Sequence, residues 1–258
     1  MNFRIKLLTL LMAIGMIINS NAQEKETTRC ADYYKGTYTL KKGKVREGYI
    51  FINDCKPHLF QQSLRVIDKK AYAKYKKGKR IKKKAIEKFK VKEIKAFALE
   101  NGRKFRQVKY VNLASTTKIG MLPKRFLLEV AADGDITVFK KFYRTDNGII
   151  DGPVMDSKLV GGPEHTDFMK SNFQVLIQKD KSKNPKNIRS VNIKNYFGDN
   201  DEILQKYQDG HYEFRNQLQR NASFGFNCDI PFLNALLELT NDYNNGINTE
   251  LSNTTFEN

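Results

Sequence analysis

Short segments in which aromatic and β-branched residues recur lie on both sides of glycine-bearing turns between residues 36 and 145. Such a pattern predicts antiparallel strands joined as hairpins. The three predicted hairpins turn at Lys42-Gly43, at Asn101-Gly102 and at Asp133-Gly134-Asp135, and their flanking segments are 36–40 with 45–52, 92–99 with 103–111, and 125–130 with 136–142. Residues 172–179 read as a further strand. The hairpins predict an antiparallel sandwich or partly closed barrel, and the sequence leaves that choice open.

The spacing of apolar residues changes to that of helices after Gly198. Asp199 and Glu202 resemble a capping box, a second short helix is predicted over 212–218, and a third runs from Ile230 to about Asn244. The predicted fold class is therefore α+β, with a β-rich domain over 23–197, a long loop over 146–166, a helical C-terminal segment over 198–246 and a tail over 247–258.

The N-terminal 22 residues have the pattern of a cleaved secretory signal peptide. Arg4 and Lys6 precede the apolar run 7–18, and small residues at 20–22 form a cleavage site. The chain has no later run of 18 apolar residues. We therefore expect export to the periplasm or cell envelope, or release outside the cell.

Export bears on the three cysteines, because disulfides persist in oxidising compartments. If Lys42 and Gly43 form a two-residue loop, position i faces position 85 − i, which brings Cys30 opposite Cys55. A Cys30–Cys55 disulfide is one interpretation. The other is three separate thiols, with Cys228 as a buried apolar one.

A basic tract over residues 69–95 is the most unusual feature of the chain, whose net charge is +18. It holds 14 lysines and arginines against two glutamates, and Tyr72, Tyr75 and Phe89 are interleaved with them. This composition is compatible with phosphate backbones and stacked bases. The candidate binding residues are Lys76, Lys77, Lys79, Arg80, Lys82, Lys83 and Lys84.

Lysine supplies point charges and lacks the planar fork of arginine, so the tract is expected to bind a diffuse polyanion. The partners expected in an envelope are lipopolysaccharide, an acidic glycan or an anionic membrane surface, and nucleic acid is not expected to be the physiological partner. Two other interpretations stay open. The tract is a solvated loop with a lysine-bearing edge strand, or it docks on the C-terminal segment, which carries 10 acidic against 3 basic residues from Gly198 onward.

Enzyme signatures are mostly absent from the sequence. His58, His165 and His211 have no metal-ligand spacing, so neither a metal nor another cofactor is expected. The segment 161–167 combines His165 with two carboxylates, which is compatible with divalent-ion binding or acid–base work, although a chance polar loop is the favoured interpretation. The acids at 199–202 are typical of a first helical turn, where they complement the helix dipole.

The layout resembles an uncharacterised family of secreted Bacteroidetes cell-envelope proteins. The resemblance rests on the signal peptide, the Asn101-Gly102 hairpin and the segments 48–50, 126–128, 195–204 and 243–244. It implies an envelope location and a β-rich architecture, and it implies no known chemistry.

Two functional hypotheses follow from the sequence. The favoured one is an exported non-enzymatic module that is structural or binds anionic polymers or surfaces through Lys69–Lys95. The alternative is a hydrolase that acts on an anionic envelope substrate, with His165 near its site. The oligomeric state is left open.

Overall fold

Ten antiparallel strands form one continuous open sheet in the computed structural model, within the residues that it describes, which are 30–111, 123–143, 167, 170–171, 173–220 and 228–254. Across the sheet the order is β10-β9-β8-β7-β6-β5-β1-β2-β3-β4. The predicted antiparallel β-rich α+β fold is confirmed, and its strands belong to a single sheet that does not close. The strands are β1 (Ala31–Leu40), β2 (Val45–Asn53), β3 (Ser63–Ile67), β4 (Glu87–Lys90), β5 (Ile94–Leu99), β6 (Lys104–Tyr110), β7 (Lys124–Ala132), β8 (Thr137–Phe142), β9 (Phe173–Gln178) and β10 (Lys186–Asn187).

All three predicted hairpins are present as β1–β2, β5–β6 and β7–β8. The first differs in its turn, because residues 41–43 form a three-residue loop closed by the Leu40 N–H on the Lys44 carbonyl at 2.9 Å. Gly43 takes the left-handed conformation that this loop needs, with φ of 85°. The register is therefore one residue off the predicted one, and Ala31 faces Asn53.

Cys30 and Cys55 are both disulfide-bonded. Cys228 carries a buried thiol whose pKa is raised to about 11 by burial. A thiol with so high a pKa is a poor nucleophile at neutral pH, which fits the predicted role of Cys228 as a small core residue.

Five α-helices lie wholly within the described residues: α1 (Lys69–Lys76), α2 (Lys194–Phe197), α3 (Asp201–Gln208), α4 (Phe214–Arg220) and α5 (Ile230–Thr254). The predicted helices beginning near 199, 212 and 230 correspond to α3, α4 and α5. The cap of α3 differs from the prediction, since the side chain of Asn200 accepts the Ile203 N–H at 3.0 Å. The other difference is at the C-terminus, where α5 continues to Thr254, beyond the predicted end near Asn244.

The main hydrophobic core lies on one face of the sheet. Alternation along β2 sends Ile50 and Ile52 into this core, and the apolar sides of α3, α4 and α5 pack into it through residues such as Ile203, Phe214 and Phe232. The C-terminal helices therefore cover one face of the sheet.

The opposite face carries two smaller apolar clusters. One includes Val108, Leu128 and Phe139 from β6, β7 and β8. The other joins Tyr33 of β1 and Ile67 of β3 to Ala71 of α1. The helix α1, with which the basic tract begins, thus lies on the face opposite the C-terminal helices.

Two buried side-chain amides tie distant segments to the sheet. Gln61 donates from Nε2 to the Phe142 carbonyl at 3.0 Å and accepts the Phe142 N–H at 2.9 Å. Asn244 on α5 donates from Nδ2 to the Ile136 carbonyl and accepts the Ile136 N–H at Oδ1, both at 2.9 Å. Each amide bonds both the N–H and the carbonyl of one residue, as a neighbouring strand would, so it satisfies backbone groups that water cannot reach.

No helix among the described residues is long and apolar enough to cross a membrane. The predicted signal peptide and the predicted loop 146–166 lie outside the described residues. Export stays a prediction from the sequence.

Candidate polyanion-binding surface

The basic tract begins with α1, whose two ends are specified by short-range chemistry. Asp68 is the N-cap, and its Oδ1 accepts the Ala71 N–H at 2.6 Å. At the other end Gly78 has φ of 69°, and the N–H groups of Gly78 and Lys79 bond the carbonyls of Tyr75 and Lys74 at 2.8 and 3.0 Å. This pair of bonds is a Schellman motif, which ends the helix and turns the chain back along it.

Tyrosines fix α1 to the sheet. Tyr72 stacks on Tyr49 of β2 with ring centroids 3.7 Å apart and planes 11° apart, and Tyr75 meets Tyr33 of β1 edge-on at 5.1 Å. Further along the tract, Phe89 packs on Tyr38 at 5.4 Å. All three aromatic residues of the tract are half-buried in packing contacts, so they anchor the lysines and do not form an open stacking platform for bases.

The seven candidate residues all lie on the surface. Lys76 and Lys77 close α1, Lys79 and Arg80 follow Gly78, and residues 82–84 enter a 3-10 helix over Lys83–Ala85. Within the part of the chain that the structure describes, no carboxylate forms an ion pair with any of the seven. The Nζ of Lys76 lies over the ring of Tyr72, 5.8 Å from its centroid.

A cavity of about 250 Å³, called the α1 cavity below, lies where the chain turns back on α1. Ala71, Ile81 and Ala85 supply its apolar lining, and the charged lining consists of Asp68, Lys70, Lys74, Arg80, Lys82 and Lys84. The fold thus brings three of the seven candidates to one cavity and leaves four outside it. Lys70 and Lys74 were not among the predicted binding residues. Their i, i+4 spacing, between a candidate N-cap at Asp68 and a helix-ending Gly78, does indicate that they share one side of a helix.

The tract continues into β4, which is an edge strand of the sheet. Lys88 and Lys90 are exposed there, while Phe89 between them points to the core. Lysines on an edge strand oppose pairing with another sheet, so this part of the tract fits the lysine-bearing edge considered from the sequence.

The acidic C-terminal helices lie on the face of the sheet opposite α1 in the described residues. The helices α3 to α5 pack in the main core, whereas α1 contacts β2 on the other face of the sheet. The third interpretation from the sequence was that the acidic helices dock on the tract. The described residues do not show this docking on α1.

A second charged cluster is internally paired. Arg103 makes two bonds to the carboxylate of Glu129, at 3.1 and 3.0 Å, and one to Asp54 at 3.1 Å, and Lys140 lies 3.1 Å from Glu129. Burial would lower the pKa of Arg103, but Glu129 and Asp54 outweigh burial and raise it. The two positive charges of this cluster, on Arg103 and Lys140, are neutralised by the carboxylates of Glu129 and Asp54. The cluster is therefore a structural element.

A larger cavity, of about 330 Å³, lies beside the turn that follows β9. Two of its cations are committed to partners, since Lys179 bonds Asp199 at 2.6 Å and Lys183 lies 3.5 Å from Asp180. Among the residues that the structure describes, the cations of the α1 cavity have no such partners, which makes the α1 cavity the better anion site.

The histidines give no catalytic constellation among the described residues. His58 is buried, and exposed His211 contacts the ring of Tyr212 edge-on at 5.1 Å. His165 lies outside the described residues, as does the segment 161–167 except Asp167. The described residues contain no group of three or more His, Cys, Asp or Glu placed to hold a metal ion.

The carboxylates near residue 200 have separate roles. Asp201 and Glu202 lie in the first turn of α3, as expected for acids that complement the helix dipole. Asp199 instead accepts bonds from Lys179 and from the Tyr243 hydroxyl at 2.9 Å. Burial would raise the pKa of Asp199, but the bonds from Lys179 and Tyr243 outweigh burial and hold the pKa below its usual range.

The lowered pKa of Asp199 predicts a loss of stability in acid. An aspartate in the unfolded chain has a pKa of ~3.9, and the pKa of Asp199 in the folded protein is lower, so the folded protein binds fewer protons in this pH range. The stabilisation is complete above the unfolded pKa and is lost as the pH falls through the folded pKa. Asp199→Asn should therefore show a shallower fall in unfolding free energy below about pH 4, measured by urea denaturation. Tyr243→Phe should be intermediate, and an unchanged acid limb in Asp199→Asn would contradict the prediction.

Comparisons with protein-family models, with curated proteins and with solved structures found no match to this chain. The resemblance to secreted Bacteroidetes envelope proteins thus stays an interpretation of the sequence.

Proposed function

We propose that the protein is an exported, non-enzymatic binding module that holds anionic envelope polymers or surfaces through Lys69–Lys95. The observation that carries the proposal is the α1 cavity, where five cations without ion-pair partners in the described residues face one carboxylate. Like charges repel when held together, so a cluster of this kind is stabilised by a bound anion.

The anchoring of the tract supports the same function. A solvated lysine loop needs no fixed structure, whereas here two tyrosine contacts and a Schellman motif hold the backbone from which the cations project. Fixing this backbone before binding reduces the entropy lost when a polyanion docks. The expected partners are lipopolysaccharide, an acidic glycan or an anionic membrane surface.

The test is retention on immobilised heparin across a salt gradient. The variant Lys82→Glu/Lys83→Glu/Lys84→Glu should elute at much lower salt, and the slope of log affinity against log salt should fall by about 3, one for each cation lost. Deleting residues 69–84 is unsuitable, because it would uncover Tyr33 and Tyr49.

The matched control is Lys41→Glu/Lys42→Glu/Lys44→Glu. These exposed lysines lie in the β1–β2 turn, at the end of the hairpin far from Tyr33, and the change in net charge is the same. Equal elution of the two variants would mean that net charge alone governs retention, and the tract would lose its assigned role.

A further inference from the structure

The α1 cavity has the composition of a site for one small anion, beyond diffuse attraction to a polymer. We propose that it binds a phosphomonoester carried on a body the size of a single sugar. This inference rests on the proposed function and names the ligand of the same surface.

The charge of the lining favours a phosphomonoester. Five cations surround the cavity, and Asp68, the one carboxylate, is already engaged as the cap of α1. A phosphomonoester carries about −1.5 to −2 charges at pH 7 and three acceptor oxygens. A sulfate ester carries a single charge, so it gains less from the same lysines.

The size and the floor of the cavity require more than a bare ion. Its volume is about 250 Å³, and inorganic phosphate alone would fill only part of that space. Ala71, Ile81 and Ala85 offer an apolar floor that a phosphate oxygen cannot use. A carbon skeleton attached to the phosphate would cover this floor.

The cations come from two segments whose relative position is fixed. Lys70 and Lys74 stand on α1, and Arg80, Lys82 and Lys84 come from the returning segment. Both segments belong to the apolar cluster around Tyr33 and Ile67, since Ala71, Ile81 and Ala85 pack there. The ligand therefore meets a preformed site, which limits the ordering cost of binding.

The experiment is calorimetric titration of the purified protein with glucose 6-phosphate, glucose 6-sulfate and inorganic phosphate. We expect glucose 6-phosphate to bind at least about tenfold more tightly than either of the others. Equal affinity for inorganic phosphate would overturn the role of the carbon skeleton, and equal affinity for the sulfate ester would overturn the choice of a phosphomonoester.

Paired variants locate the binding. Lys70→Gln/Lys84→Gln removes two charges from the cavity, and Lys76→Gln/Lys77→Gln removes two charges from exposed positions of the same tract that do not line it. The first pair should weaken glucose 6-phosphate binding by about tenfold or more, the second by less than about twofold. Equal losses would overturn the cavity as the site.

A charge-neutral variant gives a second route. Ala85→Leu fills the floor, while Ala73→Leu adds the same atoms at an exposed position of α1. Only Ala85→Leu should abolish glucose 6-phosphate binding, with heparin retention unchanged in both and folding checked by circular dichroism. Unimpaired binding by a folded Ala85→Leu protein would overturn the proposal.

The outcomes separate this inference from the proposed function. Heparin retention without any binding of glucose 6-phosphate would overturn the sugar phosphate and leave the polyanion surface standing. Binding to vesicles that contain phosphatidic acid, with none to glucose 6-phosphate, would assign the phosphomonoester to a lipid and overturn the sugar. Loss of both activities would remove both proposals.

Discussion

Asn244→Ala is expected to lower the free energy of unfolding by about 3 kcal/mol, because the buried N–H and C=O of Ile136 lose their partners and each such loss costs about 1–3 kcal/mol. Ile136 is fully buried and Asn244 nearly so, so water does not replace the amide. For a chain of this size the melting temperature should fall by roughly 9 °C. Chemical denaturation with urea measures the change.

The control for Asn244 is Asn241→Ala. Asn241 is exposed one turn earlier on α5, and its replacement should change stability by less than about 0.5 kcal/mol. Equal effects of the two variants would mean that the amide pair contributes nothing.

Gly134→Ala tests the same contact from the sheet. A Cβ on Gly134 would lie 2.5 Å from the Cγ and the Nδ2 of Asn244, so the substitution displaces the amide. The double variant Gly134→Ala/Asn244→Ala should then cost less than the sum of the two single variants. Simple additivity would contradict the shared mechanism.

Arg103→Ala is expected to cost about 3 kcal/mol, at the lower end of the range for breaking a buried ion pair. Glu129 has a side chain only 8% exposed and would lose two hydrogen bonds, although Lys140 stays within 3.1 Å of it. The guanidinium also lies over the rings of Phe60 and Phe105, at 5.7 and 5.3 Å from their centroids. Urea denaturation at neutral pH measures the loss.

Arg106→Ala is the matched control for Arg103. Its partner Asp133 is at 2.6 Å, but both side chains are more exposed, so the cost should be below about 1 kcal/mol. Adding Glu129→Gln to Arg103→Ala should recover part of the loss, because an amide is cheaper to bury than a carboxylate. No recovery would indicate that the aromatic contacts of Arg103, and not its charge, stabilise the fold.

Local turn chemistry made most of the sheet predictable. Asn101-Gly102 and the 133–135 turn each specify a hairpin within a dozen residues, and both hairpins are present. The β1–β2 register was wrong by one residue because Gly43 closes a three-residue loop, and turn length is what sets register. The course of the whole sheet depends on pairings that no local pattern contains.

The candidate surface was predictable in charge but not in geometry. The lysine density identified the tract, whereas α1 was overlooked because its apolar side consists of Ala71, Tyr72 and Tyr75, whose partners lie on distant strands. Lys70 and Lys74 meet Arg80 only because the chain reverses after Gly78. The amide contacts of Gln61 and Asn244 span 81 and 108 residues, a separation that a sequence pattern does not encode.

The placement of α1 and of the C-terminal helices on opposite faces of the sheet gives the molecule a permanent electric dipole. The tract 69–95 carries 14 basic against two acidic residues, and the segment after Gly198 has the reverse imbalance. In the field of a negatively charged layer, such a molecule rotates before it touches, so it arrives with α1 leading. Adsorbed copies would then share one orientation and present α3 to α5 to the aqueous side.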